Sequence, residues 1–237
     1  MEHWLARTLP LLGQAGLEEL ARRRLAVLGL GGVGGSAAEA LLRSGAGHLM
    51  LIDRDVLEET NLNRQLLATR PKLGLSKAAA AKERLASIWP ECDIDAREEF
   101  FLPGQDAFLW EWQPDFVIDA VDNITAKLCL IEGCRQRQIP LVVCLGTGGR
   151  LDPSQLRYGT LAETAGCGCQ LARVLRSQLR RRGIPPEEVP VVYSLEAPVK
   201  AALPGQDGRR SPASSAFVPP AAGLLAASVA VRRLTGR

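Results

Sequence analysis

Gly29-Leu30-Gly31-Gly32-Val33-Gly34 satisfies the G-x-G-x-x-G pattern between an apolar run and a helix-patterned segment. Glycine lets backbone N–H groups approach a phosphate closely, and the N-terminus of a following helix adds partial positive charge. Asp53 ends the next apolar run, a position where a carboxylate accepts hydrogen bonds from ribose hydroxyls. These residues predict a nucleotide site without separating a dinucleotide from ATP. The residues downstream separate them. The pyrophosphate of a dinucleotide is handled largely by backbone, whereas a triphosphate attacked at its α-phosphorus calls for cationic side chains and a magnesium-binding carboxylate. Asn61-Leu62-Asn63-Arg64-Gln65, then Lys77, then Asp119 and Asp122 supply such groups in order along the chain. Singly, Arg64 or Lys77 reads as a solvated charge and Asp122 as a helix cap. Together they predict ATP chemistry rather than hydride transfer.

The elements that must position these residues alternate. Leu25–Leu30 and His48–Asp53 read as buried strands around a helix ending near Gly45, which makes a βαβ unit. An irregular polar stretch, 54–75, precedes an alanine-rich helix over 76–89 with Ser76 placed to cap it. Phe116–Val121 and Leu141–Gly146 read as further buried strands around a helix over 124–138, and a short helix over 17–23 precedes them all. The fold class expected is α/β, a Rossmann-like, doubly wound, mostly parallel sheet with helices on both faces and a small C-terminal extension. The expected division is an ATP-binding domain over 1–150 and a substrate and dimerisation region over 151–237, continuous with the same core. In that second part, 155–160 and 189–195 read as strands bracketing an arginine-rich helix. Residues 203–215 read as a mobile loop, and 219–232 as an apolar helix packed on the core or on another subunit.

Composition sets the outer limits. With 237 residues, 46% of them hydrophobic and 23% charged, the chain has the make-up of an ordinary globular protein. Its start carries no basic region followed by an apolar run, so no secretion signal is expected. The longest apolar run near the C-terminus, 217–231, falls short of the roughly 20 residues of a membrane span. A cytoplasmic protein without membrane association is the expectation. The six cysteines do not form a secreted disulfide framework.

GLGGVG, LIDRD, NLNRQ, GLSKA and DAVDN together resemble the adenylating domain of the MoeB, ThiF and ubiquitin-activating superfamily. Members adenylate a carboxylate and release pyrophosphate. The resemblance implies ATP and Mg2+ as cofactors. It implies a nucleotide-binding set of Gly29, Gly31, Gly32, Gly34, Asp53, Asp55, Asn61, Asn63, Gln65 and Asn123. Arg64, Lys77, Asp122 and Arg7 are the implied catalytic residues, with Asp122 on the metal and Arg7 reaching ATP across a homodimer interface. RLDPSQL, LARVLRSQLRRRGI, VPVVYSLEAP and SSAFVPPAAGLLAASVAVRRL are similar to the tRNA threonylcarbamoyladenosine dehydratase branch. That likeness implies adenylation of the threonyl carboxylate of the modified adenosine, followed by ring closure with loss of AMP. The alternative is an enzyme that activates the C-terminal glycine of a ubiquitin-like or sulfur-carrier protein. A third, non-catalytic nucleotide-binding module is disfavoured by the intact Arg64, Lys77 and Asp122.

Arg173, Arg176 and Arg180 fall on one face of the arginine-rich helix at about 100° per residue, and the dehydratase likeness assigns that face to tRNA phosphates. Arg22–Arg24, Arg209 and Arg210 are candidates to extend it. The chain lacks the paired C-x-x-C zinc ligands of MoeB-type relatives. Cys167-Gly168-Cys169 stands where relatives carry a crossover loop and is expected to be a mobile pair without catalytic duty. A thioester or persulfide cysteine and a docked cysteine-desulfurase-type partner are the sulfur-transfer alternatives.

Overall fold

The computed structural model describes residues 3–199, 202–204 and 210–237. Its centre is a seven-stranded sheet of order β3-β2-β1-β4-β5-β7-β6. The strands are β1 (Arg24–Leu28), β2 (His48–Ile52), β3 (Asp93–Arg97), β4 (Phe116–Asp119), β5 (Leu141–Cys144), β6 (Leu156–Thr160) and β7 (Pro190–Ser194). All neighbours pair in parallel except β6, which runs antiparallel to β7 at the edge.

The apolar strands are continuous because both faces are covered. Leu25, Val27, Leu49, Leu51, Phe116 and Ile118 pack towards α1 (Leu9–Arg22), α2 (Gly32–Arg43), α3 (Lys77–Ala86) and α7 (Val218–Thr235). Ala26, Leu28, Met50, Ile52 and Val117 face α4 (Ala107–Glu111) and α5 (Ile124–Arg137). Further along the same side, Val143 and Val191 pack against α5 and α6 (Gln170–Arg181). The α2 and α7 backbones come close enough that a β-carbon on Gly223 would overlap the Val33 carbonyl oxygen. The two strands expected in the second part join the main sheet as its last two members.

Five elements differ from the sequence expectation. β3 was absent from it because Asp93 and Asp95 break the apolar run, and the strand sits at the sheet edge, paired only with β2. The short α4 was absent too, as five residues carry little periodicity. The first helix starts earlier than expected, at Leu9, and turns sharply at Gly13 (φ 72°), so only its later part shows regular helical spacing. Within the expected loop 203–215, β8 (Ala202–Pro204) pairs antiparallel with β9 (Arg210–Pro212).

Candidate functional site: a nucleotide cleft at the switch point of the sheet

β1 is flanked by β2 on one side and β4 on the other, so the connections leaving β1 and β2 diverge and open a crevice beyond the carboxyl ends of the strands. A cleft of about 930 Å3 occupies that place. Its floor is the glycine turn. Gly29 takes a φ of 83° that side chains rarely adopt, and a β-carbon there would stand 2.7 Å from the Ala120 carbonyl oxygen. The turn therefore lies directly against the end of β4, and α2 starts at Gly32 with its first N–H groups towards the cleft. Gly31 and Gly32 line the cleft as expected. Gly34 does not: a β-carbon there would overlap the Gly29 carbonyl oxygen, so this glycine packs the helix onto the turn.

Asp53 follows β2 and lines the same cleft. One carboxylate oxygen accepts the Leu30 N–H at 2.6 Å and the other the Asp55 N–H at 2.8 Å. Burial raises its pKa above the ordinary value, an effect opposed by the nearby Lys77 ammonium and by both backbone donors. Lys77 opens α3 just after the Ser76 cap, which accepts the Ala79 N–H at 3.3 Å. Its side chain is buried, and its ammonium stands 2.9 Å from Asp55 on the cleft wall.

The polar stretch before α3 supplies the next wall. Buried Asn61 caps a short turn by accepting the Glu58 N–H at 3.1 Å. Arg64 donates to the Thr60 carbonyl at 2.9 Å and to Asn63 Oδ1 at 2.8 Å, with a pKa lowered by burial. Gln65 is buried beside Gly31, and its Oε1 has no partner among the described residues. Asn61, Arg64 and Gln65 all line the cleft. Asn63 does not. Its amide instead donates to the Ser214 carbonyl at 3.1 Å and ties this wall to the approach of α7.

Beyond β4, Asp122 and Asn123 complete the rim. Asn123 caps α5 by accepting the Ala126 N–H at 3.1 Å. Asp122 is exposed and has no hydrogen-bond or ion-pair partner among the described residues. An exposed hard-oxygen donor on the rim of a nucleotide-sized cleft fits magnesium, which keeps most of its shell as water and phosphate oxygens. Asp119, expected beside it at the phosphate edge, is instead fully buried and paired with Lys127 at 2.9 Å. Arg7 is exposed and lies outside the cleft lining.

The arrangement can bind a nucleotide by glycine turn and carboxylate, and surround its phosphates with one arginine, one lysine and one acidic rim residue. Residues 5–237 match the ThiF family. The chain belongs to the ThiF family. A Bacillus subtilis tRNA threonylcarbamoyladenosine dehydratase is 37% identical over 236 residues, covering 95% of this chain and 92% of that protein. The Escherichia coli protein of the same name is 41% identical over 173 residues, covering 73% of this chain and 64% of that protein. A crystal structure of the E. coli enzyme, TcdA, in complex with ATP superposes with a TM-score of 0.88 at 34% identity, covering 98% of this chain and 93% of that one.

Several residues of this ThiF-family cleft were not anticipated. Glu99, Phe100, Phe101 and Leu102 form a wall after β3, where the Arg54 guanidinium lies 3.5 Å from the centre of the Phe100 ring. They follow β3, whose Asp93 and Asp95 hide the strand from an apolar pattern. Cys144 to Gly148 line the side opposite Asp53, and the run Gly146-Thr147-Gly148-Gly149 after a strand was a legible signal for a second close backbone approach.

The remaining expectations divide. Arg173 and Arg180 are exposed on α6, but Arg176 is half-buried and donates to the buried Thr164 hydroxyl. Arg22–Arg24 sit at the opposite end of β1 from the cleft, engaged by Glu19, by Asp115 and by the Trp112 ring. Arg209 lies outside the described residues, and Arg210 begins β9. The Cys167–Cys169 segment is fixed rather than loose: Cys167 is buried among Leu161, Leu175 and Tyr193, and Cys169 caps α6. Burial pushes the Cys92, Cys134 and Cys144 thiols to about 12 and Cys129 to about 11, which makes them poor nucleophiles. No cluster of metal-ligating side chains occurs among the described residues. No helix among them is long and apolar enough to cross a membrane.

Proposed function

We propose that this chain uses ATP to adenylate the threonyl carboxylate of threonylcarbamoyladenosine in tRNA and so closes that group into its cyclic form. The carboxylate oxygen attacks the α-phosphorus and pyrophosphate leaves. The carbamoyl nitrogen then attacks the acyl carbon, expels AMP and closes the ring, so the nucleoside loses one water. Both steps use a nucleophile carried by the substrate, which agrees with an enzyme whose cleft-lining cysteine, Cys144, is buried and held as the thiol. The observation that carries this reading is the convergence of Arg64, Lys77 and Asp122 on one cleft with the Gly29–Gly32 turn and Asp53, in a chain alignable over nearly its whole length with a named dehydratase.

In this role Asp53 takes the ribose, and the α2 N-terminus, Asn61 and Gln65 line the phosphate path. Arg64 and Lys77 offset the charge that develops on the phosphates. Lys77 is held by Asp55 until a triphosphate competes for it. Asp122 holds magnesium, which when bound neutralises phosphate charge and orients the leaving group. Arg7, exposed and outside its own cleft, serves the neighbouring subunit of a homodimer in the cytoplasm. The tRNA rests on α6 through Arg173 and Arg180, because Leu171 at the start of that helix lines the cleft and the basic face leads away from it. Arg176 supports that face through Thr164.

Pyrophosphate release tests the assignment. Release with tRNA carrying the threonylcarbamoyl group, and none with unmodified tRNA, is the expected result. Release only with a sulfur-carrier or ubiquitin-like protein would replace this function with carrier activation.

A further inference from the structure

Asp119 and Lys127 form a fully buried ion pair directly beneath the cleft rim. Both side chains have no exposed surface, and the ammonium stands 2.9 Å from Asp119 Oδ1. The same ammonium donates to the Cys144 carbonyl at 2.8 Å, and the same carboxylate oxygen accepts the Val121 N–H at 3.1 Å. Three parts of the cleft meet on these two side chains: the end of β4, the end of β5 and the first turns of α5. The Ala120 N–H is bonded back to the Leu28 carbonyl at 2.8 Å, and Gly29 packs against this turn. The backbone that carries Asp122 is therefore pinned on both sides.

Packing alone does not account for such a pair. Taking two charges out of water costs about as much as their attraction returns, and apolar side chains of similar volume fill such places equally well. What the ions add over an apolar pair is direction, since each bond fixes an angle as well as a distance. Asp119 Oδ2 is buried and has no partner among the described residues.

We infer that Asp119 and Lys127 are positioning residues that hold the Ala120–Asn123 turn where Asp122 meets metal-bound ATP. The inference rests on the proposed binding of magnesium and ATP in this cleft. It predicts that the pair matters for magnesium-dependent ATP affinity and not for the ribose contact at Asp53.

The test is a neutral double variant, Asp119→Leu with Lys127→Met, beside Lys127→Met alone. The single variant leaves a buried charge unpaired and is expected to unfold at a markedly lower temperature, whereas the double variant recovers most of that loss. In the folded double variant, the ATP Kd measured with magnesium is expected to rise about tenfold, and the Kd measured in EDTA to stay within about twofold. An unchanged Kd with magnesium, or equal losses with and without it, would overturn the inference. Wild-type protein measured alongside reports on the underlying reading. If magnesium does not tighten ATP binding there, that reading fails and takes the inference with it. Exchange of the Val121 amide in the wild type, followed by NMR, needs no folded variant. Strong protection supports the pinned turn, and free exchange contradicts it.

Discussion

A carboxylate that must accept hydrogen bonds from a ligand is most useful when it is ionised and held still, and Asp53 is held by two backbone N–H groups. Burial works against ionisation and raises its pKa. Ligand binding selects the ionised form, so affinity holds above the raised pKa and falls below it, by about tenfold per pH unit well below. Adenosine, which has no phosphate to titrate, isolates this effect. Its Kd is expected to rise on acidification from pH 7, starting at higher pH than an ordinary aspartate would give, and Asp53→Asn is expected to flatten the curve. The same slope in the variant would place the titrating group elsewhere. Asp122 presents the opposite case, an exposed carboxylate with nothing to stabilise. Asp122→Ala is expected to cost at least about a hundredfold in magnesium-dependent turnover. A surface change of this kind moves stability by no more than about 0.5 kcal/mol, so the melting temperature should shift by no more than about 2 °C. Steady-state kinetics and a thermal melt on the same sample check both halves. The residue identities were legible because the glycine turn, Asp53 and Asp122 follow strands, while Arg64 and Lys77 stand in the connection after β2 and at the start of α3. The split between Asp119 and Asp122 was not, since two carboxylates in DAVDN look alike until Lys127 is folded back under one of them.

At the scale of elements, α6 shows how a helix face divides. Leu175 and Leu179 are buried, while Arg173 and Arg180 face solvent with no ion-pair partner among the described residues. Arg173→Glu with Arg180→Glu is expected to weaken tRNA binding and to lower the slope of log affinity against log salt by about 1.8, at roughly 0.9 per phosphate contact. ATP affinity should not change. A salt titration of tRNA binding by filter retention measures the slope, and an unchanged slope would remove the helix from the RNA interface. Element boundaries were readable where apolar runs are unbroken, as in β1, β2, β4 and β5. They failed at β3, whose Asp93 and Asp95 are tolerated only because the strand is an edge. With β3 went the Phe100 wall of the cleft. The hairpin of β8 and β9 was hidden in a segment rich in glycine, proline and serine, residues that signal a turn but not the short ladder beside it.

At the scale of the whole molecule, one continuous sheet joins the glycine turn to the segment that carries α6. β5 pairs with β7, and the loop after β5 lines the cleft together with Leu171 at the start of α6. The site is thus assembled from segments far apart in sequence, and no local pattern reveals that Gly146–Gly148 and Asp53 line one cleft. In the proposed reaction, ATP cleavage removes water from a nucleoside of tRNA. The most direct measurement is mass analysis of nucleosides from threonylcarbamoyl-modified tRNA incubated with the protein, ATP and magnesium. The expected product is a modified nucleoside lighter by one water, formed in step with AMP and absent when Asp122→Ala protein is used. AMP production with the nucleoside mass unchanged would contradict it.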